Sequence, residues 1–333
     1  MKKIKKLLII SLLITTIIKA ADLHFAAKNG YSDRVEKLLS NKKWYYRLPC
    51  FRKIIDVNSR DENNNTALHA AVLALSKYNP QSFLNYNNIL KTIRVLLNSK
   101  ADPNAKNDDD VTPLYITVLN HENNDSRIVA LLLNSKANPN TKNKQNNTIL
   151  CAATNNSGNG YEDIIRLLLN SKADPNAYDD RGFRETPLHN VLTCTTTHEF
   201  DHDRSIMIKL LLNSKANPDI QNLFGNTALH VLLKGHHQKE DPNYDKKTLK
   251  LLLENKANPD VRNEQGDTAL HFAVRFNYPN LTLAQILLHY KANPDIKNQS
   301  NRTPLEECLT RVKTAQTHAH QFARMLPGFE EPK

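Results

Sequence analysis

Glycine is the first shortage in this chain: only 8 of its 333 residues are glycine. A phosphate-cradling loop needs several glycines close together, and neither a P-loop nor a GxGxxG stretch occurs. The GxSxG elbow of serine hydrolases and the HExxH helix of zinc proteases are also missing. Cysteine offers no framework either, since Cys50, Cys151, Cys194 and Cys308 show no paired spacing, no CxxC and no zinc quartet. Tryptophan occurs once, as Trp44. No apolar run reaches the roughly 20 residues that cross a bilayer; the run from Leu7 to Ile18 stops at 12. These gaps leave no motif for nucleotide, hydrolytic or zinc chemistry, so the expectation is a non-enzyme without a cofactor.

Charge of one sign is less abundant than the total suggests. The formal charge is +11, but Lys2, Lys3, Lys5, Lys6 and Lys19 sit in a separate N-terminal segment, and the remainder carries 40 basic against 34 acidic side chains. That mild excess does not call for a nucleic-acid partner. The N-terminus, MKKIKKLLIISLLITTIIKAADLHF, has a positive start, an apolar stretch and small residues at its end. It reads as a secretory signal peptide over residues 1–20, cut after Ala20, with a retained anchor or a buried first helix as the alternatives. The chain is therefore expected to be exported, periplasmic or secreted, with no membrane span after cleavage.

What the sequence has in abundance is one phrase. NSKADPN at 98–104 returns as NSKANPN at 134–140, NSKADPN at 170–176, NSKANPD at 213–219, ENKANPD at 254–260 and HYKANPD at 289–295. A second phrase alternates with it: TALH at 66–69, TPLY at 112–115, TILC at 148–151, TPLH at 186–189, TALH at 227–230 and 268–271, and TPLE at 303–306. Thr before an apolar segment is an N-cap, and Pro113, Pro187 and Pro304 fall at the first helical position, where no N–H is needed. Runs such as IRVLLN, IVALLLN and IIRLLLN cover most of a helix surface with apolar side chains and must pack against neighbours. Pro103, Pro139, Pro175, Pro218, Pro259 and Pro294 then stop each helix. From the central Lys to the next Thr the step is 12 residues in five cases and 14 in the sixth, whereas Thr to Lys varies from 23 to 34. Length thus varies between the two helices of a unit, where a turn grows into solvent at little entropic cost.

The two phrases in register resemble ankyrin repeats over roughly residues 22 to 326. The resemblance implies an all-α repeat solenoid, an array of antiparallel helix pairs joined by β-hairpin-like fingers, serving as a protein-binding scaffold. An N-terminal unit at 22–42, six complete units between 66 and 302 and a C-terminal unit at 303–326 are expected within a domain of residues 21–326, with a tail at 327–333. Glu306, Glu307 and Arg311 suit the polar outer face of a terminal unit. High Asn and Lys content with the signal-like start is similar to ankyrin proteins of host-associated bacteria, which implies a host protein as partner. A monomer with a protein partner is the expectation. The alternative is an envelope structural module, loaded with metal through His-rich inserts.

Several residues are candidates for function. His69, His189, His230 and His271 share one slot, where the family resemblance makes them structural. His198, His202, His236 and His237, in two successive inserts, have the atom types of a zinc-like site but no rigid spacing. The insertion KWYYRLPCFRK at 43–53 brings Trp44, Tyr45, Tyr46, Arg47 and Phe51 together, the residue types of binding hot spots. Its aromatics would otherwise shield the first unit. Finger tips are the family's usual contact points, and here they offer an acidic one at Asp108, Asp109 and Asp110 and apolar ones at Phe183, with Arg184 beside it as a further candidate, and at Leu223 and Phe224. Two residues before each Thr stand Asn64, Asp110, Asn146, Gly225, Gly266 and Asn301, all tolerant of a left-handed backbone, while Arg184 breaks that pattern. The family usually has Gly at the centre of the first phrase, where this chain has Lys in all of Lys42, Lys100, Lys136, Lys172, Lys215, Lys256 and Lys291. Stacked units would set these lysines about 10 Å apart in a column that favours acidic partners.

Overall fold

The computed structural model describes residues 19–40, 55–77, 83–119, 126–155, 161–180, 182–193, 201–235, 242–275, 281–311 and 321–326. Helices dominate them. Residues 19–28 form α1, followed by α2 (Ser32–Ser40), α3 (Ala67–Leu73), α4 (Phe83–Asn98), α5 (Pro113–Leu119), α6 (Ser126–Asn134), α7 (Ile149–Thr154) and α8 (Tyr161–Asn170). Then come α9 (Pro187–Thr193), α10 (Asp201–Asn213), α11 (Ala228–Gly235), α12 (Pro242–Glu254), α13 (Ala269–Val274), α14 (Leu281–His289) and α15 (Pro304–Arg311). Among the described residues no strand forms, only isolated bridges at Arg60–Thr66 and Lys142–Thr148.

The helices fall into two compact units, residues 1–153 with 170–173, and 154–169 with 174–333. In the first, α3 packs on α4 and α5, and α5 on α6. In the second, α9, α11, α13 and α15 contact one another in turn, and α10, α12 and α14 do the same beside them. Each unit is therefore two layers of helix, one layer of first helices and one of second helices. The first helices are buried almost all round, with every residue of Pro187–Leu192 in α9 and of Ala269–Val274 in α13 shielded from water. A helix flanked on both sides and backed by its own partner has no free face, which is why these two segments carry no charged side chain. The second helices bury one stripe, such as Tyr161, Ile164, Ile165 and Leu168 of α8 at helical spacing.

Four of the first helices are capped by the hydroxyl of the Thr before them. The Thr112, Thr148, Thr186 and Thr303 hydroxyls accept the N–H of Tyr115, Cys151, His189 and Glu306 at 3.1–3.4 Å. At α15 the cap is reciprocal, since Glu306 Oε2 accepts the Thr303 N–H at 2.7 Å. Five second helices, α4, α6, α10, α12 and α14, end in a Schellman turn. The Lys100 N–H donates to Leu97 O and the Ala101 N–H to Leu96 O, both at 3.0 Å, and Lys136, Lys215, Lys256 and Lys291 repeat the pattern with Ala137, Ala216, Ala257 and Ala292. Those alanines are at most 6% exposed, so the turn also plugs its own end.

The C-terminal unit departs from expectation. Glu306 is exposed, but Glu307 is buried and faces Arg302 and Arg275, both at 3.5 Å. Arg275 also pairs with the fully buried Asp267 and lies over the Phe272 ring at 5.2 Å. A carboxylate thought to face water instead closes an ion network under the last helix, because two arginines from the preceding repeat reach it.

Candidate functional site

The fingers position the site, and their geometry starts from one side chain each. Asp61, Asn107, Asn143, Asn222, Asn263 and Asn298 stand five residues before the Thr, and each Oδ1 accepts two backbone N–H groups, two and four residues on. Such Asx turns fold the tip without help from a strand. The sequence carried this signal, an Asx at constant offset, and reading for motifs overlooked it. Asn64, Asp110, Asn146 and Asn301 then take φ of 56–60°, and Gly225 and Gly266 take 70° and 75°. Arg184 adopts φ 53° as well, so it keeps the conformation its residue type argued against. Stacking of its guanidinium 4.7 Å over the Tyr178 ring supplies a contact that glycine lacks.

Neighbouring fingers are sewn together by their backbones. In the first unit the Asp108 N–H donates to Asn63 O at 3.3 Å and the Lys144 N–H to Asp109 O at 3.0 Å. In the second, Leu223 donates to Phe183, Glu264 to Phe224 and Gln299 to Gln265, at 2.8–3.1 Å. Tip side chains are therefore held in register rather than left on loose loops. This ladder brings Phe183 and Phe224 together with ring centroids 5.7 Å apart and planes tilted by 31°. With Leu223 they remain 42–50% exposed, forming an apolar patch beside the Arg184–Tyr178 stack. Aromatic and Arg side chains on a rigid frame are the ingredients of an interaction hot spot.

The acidic tip differs from expectation. Asp108 accepts a bond from Asn64 Nδ2 at 2.5 Å, and Asp110 lies 3.6 Å from Lys106, so part of its charge is spent within the chain. Trp44, Tyr45, Tyr46, Arg47 and Phe51 lie outside the described residues, as do His198, His236 and His237, and the described part of the His202 site is its backbone in α10. Cys50 and Cys194 also lie outside them. Cys151 and Cys308 are buried, and burial pushes the Cys308 thiol above its ordinary range.

The slot histidines are architectural. Nδ1 of His69, His189, His230 and His271 accepts the N–H of its own Thr at 3.1–3.3 Å. Nε2–H donates to the carbonyl of Val111, Asn226, Asp267 and Arg302, the residue just before the Thr that opens the next repeat, each at 3.0 Å. That pair of bonds fixes the neutral ring with its proton on Nε2. Burial lowers all four pKa values, those of His189 and His230 to about 4. His24 fills the same slot in the first unit, its Nε2 2.9 Å from Asn65 O. The sequence carries the signal for it in the LH of DLHF, which repeats the LH of the slot phrases.

Stacked helix pairs, Asx-closed fingers in register and histidines bridging one repeat to the next define a class: a repeat array that presents a surface rather than a cavity. A family model described as ankyrin repeats (3 copies) matches residues 83–179, 200–298 and 240–317, more than half of the chain, and the chain belongs to the ankyrin-repeat family. No curated protein matches it by sequence. The structure is similar to the crystal structure of the ankyrin repeat domain of Bcl-3, a unique member of the IkappaB protein family. The two share 22% identity and a TM-score of 0.57, over 78% of this chain and 100% of that one. That likeness concerns the fold. Ankyrin repeats are typically non-enzymatic modules for protein–protein interaction. Among the described residues, no helix is long and apolar enough to cross a membrane.

Proposed function

We propose that the chain is an exported interaction scaffold that engages a partner protein, one of the host cell, through the tips of the second unit. The observation that carries the surface is the Phe183–Phe224 pair, half exposed yet held by the Leu223 to Phe183 backbone bond. Leaving two phenyl rings in water costs solubility, and burying them on a partner recovers about 25 cal/mol per Å² of apolar area. Export rests on the lysine-flanked apolar N-terminus, and the host partner on the family likeness in composition.

A photo-crosslinking residue at position 183 or 224 should trap one protein species. The double change Phe183→Ser with Phe224→Ser should reduce its capture by tenfold or more with the thermal midpoint unchanged. Equal capture by wild type and the double variant would remove the tips from the interface. Fractionation with N-terminal sequencing tests export: a mature chain starting at Ala21 outside the cytoplasm supports it, and an intact N-terminus inside the cell refutes it.

A further inference from the structure

His189 sits between the two fingers whose rings make the apolar tip. Its own finger, 179–185, carries Phe183 and closes with the Asp179 N–H donating to Glu185 O at 3.0 Å. The next finger, 222–226, carries Leu223 and Phe224 and is closed by Asn222 Oδ1, which accepts the N–H groups of Phe224 and Asn226. One ring joins the two: Nδ1 accepts the Thr186 N–H at 3.3 Å, and Nε2–H donates to Asn226 O at 3.0 Å. The ring, Thr186 and Asn226 are all buried.

A second proton on that ring breaks the bridge. The Thr186 hydroxyl, 2.7 Å from Nδ1, can turn to accept it, but the Thr186 N–H then faces another N–H and loses its acceptor. The ring also becomes a cation in a place shielded from water. Parting the fingers wets the ring, restores its ordinary proton affinity and keeps the proton. Nearby charges do not relieve the penalty. On α10 and α11, which pack on α9, the described charged side chains are the buried Arg204 and the exposed Lys209 and Lys234, all cations. Burial lowers the His189 pKa to about 4, and neither these groups nor the buried Asp179 are among its causes.

His230 makes the same bridge one repeat on, from the Thr227 N–H to Asp267 O. Burial lowers its pKa to about 4 as well; the Asp267 carboxylate pulls upward, and the rings of His189 and His271 push further down. Asp267 is itself paired with Arg275. No described group of the adjoining α12 bears on His230. In the first unit the slot after His69 holds Tyr115, whose phenol gains no proton in acid.

We propose that His189 is an acid-released pin between the Phe183 finger and the Leu223–Phe224 finger, so that acidification takes the apolar tip apart while the Tyr115 slot stays closed. His230 does the same for the fingers at 222–226 and 263–267. That this frees a bound partner rests on the tips being the partner surface; the opening itself does not. A ring that titrates at about 4 in place and near 6.5 in water favours the open state roughly 25-fold more at pH 5 than at pH 7.5. The stabilisation is complete above pH 6.5 and is lost as the pH falls towards 4.

Residue-resolved amide exchange of the whole chain at pH 7.5 and 5, corrected for intrinsic exchange rates, tests the pin. Three N–H groups report on three slots: Leu223 to Phe183 O for His189, Glu264 to Phe224 O for His230 and Lys144 to Asp109 O for Tyr115. On acidification the protection of Leu223 and Glu264 should fall tenfold or more, and that of Lys144 less than threefold. His189→Gln removes the titration and keeps the cap, because glutamine at the third helical position reaches back to the N-cap N–H. In that variant Leu223 should fall less than threefold while Glu264 still falls tenfold. The proposal is overturned if Lys144 falls with the other two in wild type, or if Leu223 falls in the variant as it does in wild type. Should the variant not fold, NMR of ring-labelled histidine in wild type decides. The His189 ring should keep its neutral Nε2–H form until Leu223 protection is lost, and a charged ring with that protection intact overturns the pin. Exchange needs no partner, so a missing crosslink at position 183 or 224 would sink the partner surface alone.

Discussion

A buried histidine that both accepts and donates is a residue with one permitted protonation state. In each slot Nδ1 takes a Thr N–H, so a second proton on the ring would break the cap and place a charge where water is absent. His189 and His230 titrate at about 4 in the folded chain and near 6.5 when unfolded. Between those values the unfolded chain binds more protons, so stability is complete above pH 6.5 and falls as the pH drops through 4. The loss is on the order of 3 kcal/mol per histidine. Urea midpoints measured from pH 7.5 to 4 should fall in wild type, and His230→Ala should flatten that slope while lowering stability by about 2 kcal/mol at neutral pH. An unchanged slope in the variant would refute the assignment. Glycine is the other decisive residue. A Cβ on Gly225 would sit 2.6 Å from the Glu264 backbone N, at φ +70°, while one on Gly182 would meet nothing within 4 Å. Gly225→Ala should therefore cost about 3–4 kcal/mol, whereas Gly182→Ala, at φ +103° but without a clash, should cost only the backbone strain of about 1–2 kcal/mol, a difference that thermal melts resolve.

At the scale of elements, the finger and the helix end are two halves of one connector. The Schellman turn closes the helix, the Asx turn closes the finger, and backbone bonds tie each to its neighbour. The backbone groups that close the connector are satisfied locally or by the next repeat, which explains why its length varies less than that of the opposite turns. The motif phrases disclosed the start of each first helix and the breaker after each second one. They disclosed the left-handed lysines too, since the family's glycine slot was recognisable. The Asn–Asn contacts between repeats escaped notice because a side-chain amide announces nothing about which neighbour it will reach. Glu307 escaped for the same reason: a charged residue on a terminal helix reads as solvent-facing until two arginines from another repeat are placed beside it.

For the molecule as a whole, stability accumulates interface by interface, because each repeat contacts its neighbours and little else. The last interface in the second unit is held partly by the Asp267–Arg275–Glu307–Arg302 network. Glu307→Gln leaves Arg275 with one partner fewer and should cost about 2 kcal/mol, the scale of a hydrogen bond to a charged group. Hydrogen exchange should then show α15 and α13 opening first, with α3 and α5 of the other unit unaffected. Uniform destabilisation across both units would contradict the nearest-neighbour account. Function follows the same logic, since an ankyrin-repeat scaffold for protein–protein interaction acts through the side chains its fingers and edges display.

The sequence alone determined the family, the helix pairs, the caps and the turns that need a left-handed residue, because each of these is a local matter of propensity and spacing. It also nominated Phe183, Leu223 and Phe224, which stand at tip positions countable from the Thr. The tertiary structure decided what those nominations mean. It joined Phe183 to Phe224 across 40 residues of chain, turned Glu307 inward, tied Asp108 and Asp110 to neighbours and left six lysines without an ion pair among the described residues. Those outcomes depend on which repeat lies beside which, and at what register, and stacking through backbone bonds between fingers is the physical step that fixes both.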